Sequence, residues 1–527
     1  RDWDTGLDFM YELAHSSSVP ASARMLDSLH YQFGSALKPE KNKFGKFKSK
    51  IQKLAFKIKD FDTENFVAAV FKLEGSYSEV EYQRNNIKKL AKKSSSAEQL
   101  FRRIGITFNV YGQKQAEERL IPFDLIPRIL AAEEWRILEE GIKQRVTAIN
   151  CFLCDIYNEQ EIIQAGIIPA EHIYKNEAFM PQMCGFTPVG GIYTHVVGVD
   201  IVRTGPTDFC VLEDNARVPS GVSYMLENRS TMQHMFPELF TTHQIRPINN
   251  YPKDLFNSLI ECSNSSFENP NVALLTPGIH NSAYYEHSFL ADEMGIELIQ
   301  GSDLAVQDGK VTIRTTQGVE NVDIIYRRID DNFLDPLSFD PKSLLGTPGL
   351  FDAYRNGSVI LANAPGTGIA DDKAIYSYIP DIIRFYLGDE PLLPNIPTWR
   401  CDDKNNLIYV IENLHELVVK EVHGSGGYGM LIGPAASKKE LSDFSRKLKA
   451  NPGKYVAQPT LALSTVPILT KNGLAPRHVD LRPFVLVSPS KVRVTPGGLT
   501  RVALKDGSLV VNSSQGGGTK DTWVMRA

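Results

Sequence analysis

Val418-Val-Lys-Glu-Val-His-Gly-Ser-Gly-Gly-Tyr-Gly-Met430 is the stretch from which the chain is best read. An apolar run, Leu417 to Val419, ends in Lys420 and breaks into a loop with glycines at 424, 426, 427 and 429. A loop so poor in Cβ atoms can turn its backbone N–H groups inward, and a lysine at its mouth adds a fixed positive charge. That combination suits a nucleotide polyphosphate. The spacing fits neither GxxxxGK[ST] nor GxGxxG. A turn-rich hairpin would carry the same glycines, so the reading rests on what else the chain provides.

Two acidic positions come first. Val196–Val202 and Phe209–Leu212 are rich in Val and Ile and read as strands. Asp200 ends the first pattern, and Glu213 and Asn215 end the second. Residues i and i+2 of a strand share a face, so Glu213 and Asn215 converge on one point. With Asp200 beside them they form a set of hard oxygens suited to Mg²⁺ bridged to phosphates. Arg217 would share that face. Taken alone, Glu-x-Asn is more often a solvated strand end.

Three more features follow in order. Asp371-Asp-Lys373 opens a helix-like stretch after Asn363-Ala-Pro-Gly-Thr-Gly368. Tyr455-Val-Ala-Gln458-Pro459 reads as a short strand able to hold an adenine edge, with the Gln458 amide as a side-chain partner. Arg482 and Arg501 sit in Arg477-His-Val-Asp-Leu-Arg482 and Gly497-Gly-Leu-Thr-Arg501.

Two lysines, a glycine-rich lid, a hinge strand and an Asp/Glu/Asn set resemble the ATP-grasp superfamily, with the acidic strands moved ahead of the lysines. Val211-Leu-Glu-Asp-Asn-Ala-Arg-Val-Pro-Ser-Gly221, Tyr326-Arg-Arg-Ile-Asp330, Arg477-His-Val-Asp-Leu-Arg-Pro483 and Ser514-Gln-Gly-Gly-Gly-Thr-Lys-Asp-Thr-Trp523 sharpen the likeness. From about Gly105 to Val524 the chain is similar to the bacterial circularly permuted ATP-grasp proteins related to glutathionylspermidine synthase. The implied fold is a mixed α/β and α+β, circularly permuted ATP-grasp with an inserted pre-ATP-grasp-like α/β domain and an N-terminal helical extension.

The implied site uses ATP and Mg²⁺ as cofactors. Lys373 and Lys420 would contact phosphates, and Gly424, Ser425, Gly426, Gly427, Tyr428 and Gly429 would close over them. Gln458, where the superfamily often has a carboxylate, would meet adenine. Asp200, Glu213 and Asn215 would hold one or two Mg²⁺. The implied reaction joins a small-molecule or peptide carboxylate to an amine through an acyl phosphate. Such phosphoryl transfer needs positioning and charge neutralisation rather than a protein nucleophile. Arg217, and secondarily Arg482 and Arg501, would stabilise transferred oxygens. Ser220, Ser223, Tyr224 and Arg229, with Arg327 and Arg328, are the candidates for substrate contact. The rival expectation is a regulatory or assembly module that keeps an ATP site, or a phosphotransferase that forms no amide. A dinucleotide oxidoreductase is disfavoured, because the strand at Val272 leads into Pro277-Gly-Ile-His280 rather than GxGxxG.

Along the chain, residues 1–95 form an expected basic extension. Phe44, Phe47, Ile51, Leu54 and Ile58 mark an amphipathic helix among the lysines of Lys38–Lys59. Lys92-Lys-Ser-Ser-Ser96 reads as a linker. Residues 96–265 carry the acidic strands after a helical Phe123–Ile163, and 270–345 form the α/β domain. In it, Val272–Leu275, Ile296–Ile299, Val311–Ile313 and Val322–Tyr326 are strands and Tyr285–Met294 a helix, in a largely parallel sheet. Residues 346–527 carry the lysines, lid, hinge and arginines. Tyr285-Glu-His287 reads as packing and capping.

Bulk properties narrow the class. The chain has 527 residues, 42% hydrophobic and 23% charged, enough for several subdomains of an ordinary globular protein. With 57 basic against 62 acidic side chains, no charge excess calls for nucleic acid. Six cysteines are too few for a disulfide scaffold and suit a reduced, cytoplasmic setting. Cys151-Phe-Leu-Cys154 lies in an apolar helical pattern and reads as structural. His423 and His478 read as solvated. No apolar run reaches the roughly 18 residues of a membrane span. The chain opens at Arg1 rather than Met, which leaves a missing start and a removed signal peptide both open.

Overall fold

The computed structural model describes residues 22–26, 68–72, 93, 95–102, 107–110, 117–205, 208–263, 269–316, 318–423, 429–461, 463–470, 473–505, 507–508, 511 and 516–527. Two compact units result. One comprises Arg1–Glu98 with Thr465–Arg477, and the other Gln99–Ser464 with His478–Ala527. In the first, Ser22–Leu26 pairs antiparallel with Ala68–Lys72, so strands occupy part of the extension expected to be helical. The basic helix over Lys38–Lys59 lies outside the described residues. Residues 95–102 are helical, so the end of the expected linker enters a helix.

The second unit is built on a central sheet. Its strand order is Lys491–Val494, Phe484–Ser488, Val196–Arg203, the His478–Arg482 end of Gly473–Arg482, Leu499–Val502, Gly518–Val524 and Phe123–Leu130, and Phe209–Asn215 pairs with Val196–Arg203. Neighbours in this sheet come from chain positions some 280 residues apart, as permutation requires: Ile201 sits opposite Leu481. The helix Ala132–Tyr157 covers the sheet. Its Trp135, Leu138, Ile142 and Val146, spaced three or four apart, join Val197, Val199, Ile201, Val211, Leu481 and Val485 in one core.

Phe123–Leu130 corrects the helical reading of Phe123–Ile163: it is an edge strand, parallel to Gly518–Val524. Pro127 explains the outcome. It would remove a helical hydrogen bond and clash with the preceding turn, whereas an edge strand tolerates it at an irregularity. The ladder slips between Lys520 and Thr522, opposite the segment that holds Pro127.

The α/β module carries a parallel sheet ordered Ile360–Ala362, Ile324–Arg327, Val272–Leu275 and Glu297–Ile299, with helix Tyr284–Met294 after the Val272–Leu275 strand. Val311–Ile313 lies apart from it, in an antiparallel sheet of Leu304–Gln307, Lys310–Thr315 and Gly318–Asn321. Its alternating burial matches a one-sided antiparallel strand. A smaller antiparallel sheet, Trp399–Arg400, Tyr455–Pro459, Leu417–Glu421 and Leu431–Ile432, has its own core of Val410, Leu414, Leu417, Val419, Leu448 and Ala457. All six cysteines are free thiols, and burial pushes Cys151 and Cys154 up, away from reactivity. Among the described residues no helix is long and apolar enough to cross a membrane.

Candidate active site

The site begins with strand alternation. Glu213 lies opposite Asp200 and Asn215 opposite Gly198, and the register slips at Leu212. Glu213 and Asn215 line a cavity of about 700 Å³. The acid between them, Asp214, is held by Arg145 of the long helix, Nε to Oδ1 at 2.7 Å and Nη2 to Oδ2 at 2.6 Å, both side chains buried. A bidentate, buried pair anchors the strand and fixes which residues face the cavity.

Asp200 is engaged differently from the sequence expectation of an open metal ligand. Arg482 grips it at 2.5 and 2.7 Å, and Arg501 donates to it at 2.5 Å while also holding Asp480. Burial pushes the Asp200 carboxyl up, but the two guanidiniums prevail and hold it far below the usual range. Arg482 and Arg501, expected to meet transferred oxygens, therefore serve first to neutralise a buried acid. Both still line the cavity, and Arg482 reaches Glu213 at 3.7 Å. Burial and the Asp200 charge raise the Glu213 carboxyl, against the pull of Lys373 and Arg482.

The lysines arrive from the other half of the chain. Lys373 starts the short helix Lys373–Tyr376, whose N-cap Asp372 accepts from Ala374 N at 2.8 Å and Ile375 N at 3.0 Å. The other Asp372 oxygen pairs with His423 Nδ1 at 2.9 Å, so His423, read as solvated, ties the base of the lid to this helix. Lys373 and His423 both line the cavity. Lys420, on the strand Leu417–Glu421, is not among the lining residues and donates to Gln458 Oε1 at 2.8 Å, while Gln458 Nε2 donates to Thr398 Oγ1 at 3.0 Å. The Gln458 amide, expected to meet adenine, thus holds a lysine. Burial pushes the Lys420 ammonium down to about 8; Glu213 opposes this, Lys373 adds to it, and Asp200 opposes it. Lys420, Lys373 and Glu213 therefore share one electrostatic environment. Gly424, Ser425, Gly426, Gly427 and Tyr428 lie outside the described residues; Gly429 is exposed with φ 71°.

The candidate substrate residues divide. Ser220, Tyr224 and Arg328 line the cavity; Ser223, Arg229 and Arg327 do not. Arg327 is buried and holds the carbonyls of Asn363, Ile329 and Ala364 together with Asp331. Arg229 is likewise committed to Asp521 and the carbonyls of Arg246 and Thr522, and Ser223 to Glu286. Every Nη hydrogen of Arg328 has a partner: Pro219 O, Tyr326 Oη, Ser220 Oγ and Glu286. Arg217 is 44% exposed, with Asp330 at 3.4 Å, and its backbone N–H donates to Asp371.

The profile of the family described as circularly permuted ATP-grasp type 2 matches residues 127–503. The chain belongs to this family. An uncharacterised Synechocystis protein is 53% identical over 426 residues, 80% of this chain and 88% of that one. An uncharacterised Mycobacterium tuberculosis protein is 48% identical over 467 residues, 88% and 83% of the two chains. A Frankia alni protein provisionally named glutamate–cysteine ligase 2-3 is 42% identical over 425 residues, 80% of this chain but 49% of its own length. Among solved structures, a glutathione synthetase-like effector from Globodera pallida in its apo form superposes with TM-score 0.53 at 11% identity, covering 82% of this chain and 96% of that one.

ATP-grasp membership raises the question of Mg²⁺. Among the described residues no group of three His, Cys, Asp or Glu side chains is arranged to hold a metal by itself. Nucleotide-bound Mg²⁺ needs less, because phosphate oxygens and water complete its shell. Glu213 and Asn215 fit that role. Burial and then the adjacent Asp200 raise the Glu213 carboxyl, and a cation relieves the repulsion between the two acids. The Asn215 amide nitrogen donates to Gly198 O at 3.4 Å, and its oxygen accepts no hydrogen bond from the described residues.

Several organising residues of this ATP-grasp site escaped sequence reading. Asn363 accepts from His195 N and Val196 N and donates to the carbonyls of Val196 and Ala216, fastening the α/β module to the acidic strand pair. Asp371, pushed up to about 7 by burial, receives the Ala216 and Arg217 N–H groups. Asp371-Asp-Lys373 was visible as a string, but only its lysine carried a signal, since an acid that binds backbone looks like any other acid.

Proposed function

We propose that this ATP-grasp chain is an ATP- and Mg²⁺-dependent ligase that joins a carboxylate to an amine through an acyl phosphate, releasing ADP and phosphate. The observation that carries it is that Glu213, from one half of the chain, and Lys373, from the other, line one cavity, with the Lys420 ammonium close enough to feel the charge of both. The name of the Frankia relative supports amide formation in the family. Reduced thiols throughout suit the cytoplasm, where ATP is supplied.

Glu213 and Asn215 would hold Mg²⁺, which neutralises phosphate charge when bound. Lys373 and Lys420 orient the nucleotide's α- and β-phosphates, and Arg217, the most accessible arginine of the wall, faces the transferred oxygens. The substrate carboxylate attacks the γ-phosphorus and ADP departs. The amine then attacks the acyl carbon and phosphate departs.

Incubation with ATP, Mg²⁺ and pools of carboxylates and amines tests the reading, with ADP release and new masses followed together. ADP release that needs both pools, with a product mass equal to the two substrates less water, is the expected result. ADP release with one pool and a phosphorylated product would point to a phosphotransferase. Thermal protection by ATP with no turnover would point to a binding module.

The Lys420 environment adds a pH signature. In the free protein the group is neutral above about pH 8, whereas a bound polyphosphate favours the ammonium. Nucleotide binding is therefore expected to take up a proton above pH 8, and affinity should fall as pH rises through that value. Calorimetry of Mg-ATP-analogue binding at about pH 8.5 in buffers of unlike ionisation enthalpy checks this. Identical apparent enthalpies would contradict it, and Lys420→Arg should abolish the uptake.

A further inference from the structure

We infer that His287 forms a specificity subsite at the α/β-module end of the cavity, where its Nε2–H donates to an sp² oxygen of the substrate, either a carboxylate or an amide carbonyl. This rests on the ligase reading for the identity of the ligand, but not for the existence of the subsite.

His287 lies in the first turn of helix Tyr284–Met294, 1% exposed, and lines the cavity. Its Nδ1 sits 2.8 Å from Thr276 Oγ1. Thr276 follows the Val272–Leu275 strand and is 2% exposed. The direction of that hydrogen bond decides the chemistry. The Gly278 N–H donates to Thr276 Oγ1 at 3.2 Å, which occupies one of its lone pairs. The hydroxyl hydrogen must go to an acceptor or be buried unsatisfied, at a free-energy cost. Among the described residues the only acceptor beside it is Nδ1 of His287. The hydroxyl donates, Nδ1 accepts, and the ring proton resides on Nε2.

Nε2 has no partner among the described residues, and Thr276, which takes Nδ1, is not among the residues that line the cavity, whereas His287 is. Burial, with help from the Arg328 charge, pushes the imidazole down to about 2, so it stays neutral. The neighbouring charges are internally balanced. Arg328 lies on Glu286, and Glu286 also receives Gly221 N, Ser223 N and Ser223 Oγ. A neutral donor, fixed by a buried threonine and set in a wall whose charges cancel, recognises an oxygen acceptor rather than an ammonium. Ser220 lines the same cavity: its Oγ accepts from Arg328, which leaves its own hydrogen free to supply a second donor. The site also lies at the carboxyl end of a parallel sheet, where open α/β folds place ligands.

Histidine-selective ¹⁵N NMR of the full chain tests this at pH 7. His287→Leu assigns the resonance. The expected spectrum shows a neutral imidazole protonated on Nε2, and Thr276→Val should disperse it towards a tautomer mixture. Acetate and acetamide are then titrated against a matched sodium chloride control. A shift of the Nε2–H signal by either supports the subsite, and the larger shift names the oxygen source. A proton on Nδ1, an imidazolium, or no shift beyond the chloride control with either probe would overturn it. In the pooled assay, His287→Leu should raise the half-saturating concentration of the oxygen-bearing substrate about tenfold, with that of ATP unchanged. Equal half-saturation in wild type and variant would also overturn it. If wild type shows no amide product yet acetate or acetamide shifts His287, the ligase reading fails and the subsite stands.

Discussion

Glu213→Gln is expected to lower Mg²⁺-dependent ADP formation by at least about a hundredfold, with the unfolding midpoint close to that of wild type. The change keeps size but removes the carboxylate of the acidic pair that has only a 3.7 Å contact with Arg482, against the close grip of two arginines on Asp200. Asp200 cannot substitute, because Arg482 and Arg501 hold it. Removing the Glu213 charge also relieves its repulsion with Asp200, so the fold should tolerate the change. The expected signature is loss of the Mg²⁺ dependence of nucleotide affinity together with loss of turnover. Turnover within a few fold of wild type, with Mg²⁺ dependence intact, would remove Glu213 from the site. It would also take away the observation on which the proposed function rests.

The second large effect is on stability. Arg145→Ala leaves Asp214 charged and buried without its partner, a loss of about 3–5 kcal/mol for a pair of this kind. A urea midpoint shifted well down is the expected measurement, with Arg145→Lys intermediate because an ammonium cannot reproduce the fork. The same variant should weaken nucleotide binding under conditions where it is still folded, since Asp214 sits between Glu213 and Asn215. An unchanged midpoint would mean that the pair does not anchor the strand.

The sequence was most legible where chemistry forces a residue type. Glycines after a lysine, and an acid and an amide at i and i+2 of a strand, are legible only in combination, because each alone has a commoner structural use. The acidic strand pair, the α/β module and the hinge strand all lie in elements of the type read from their periodicity. Legibility failed where tertiary pairing decides. Phe123–Leu130 has the apolar content of a helix and becomes a strand through a partner almost 400 residues away. It failed again for charged side chains. Arg327, Arg229 and Arg328 look identical on paper, yet the first two fasten backbone and only the third reaches the cavity wall. Asp200 was read as a ligand because an acid's partners cannot be seen in a string, and Arg482 and Arg501 were not recognisable as those partners.

The pairing of Phe123–Leu130 with Gly518–Val524 bears on how the protein is made. Contacts of such sequence separation close late, because the entropy of a very long loop must be overcome before they form. On a ribosome, the Glu213 strand would emerge hundreds of residues before His478–Arg482 and Leu499–Val502, which complete its sheet and bring the arginines that neutralise Asp200. A nascent chain stalled before those strands would carry Asp200 without its counter-charges and without the sheet that buries it, so nucleotide affinity should arise only once synthesis has passed Val524.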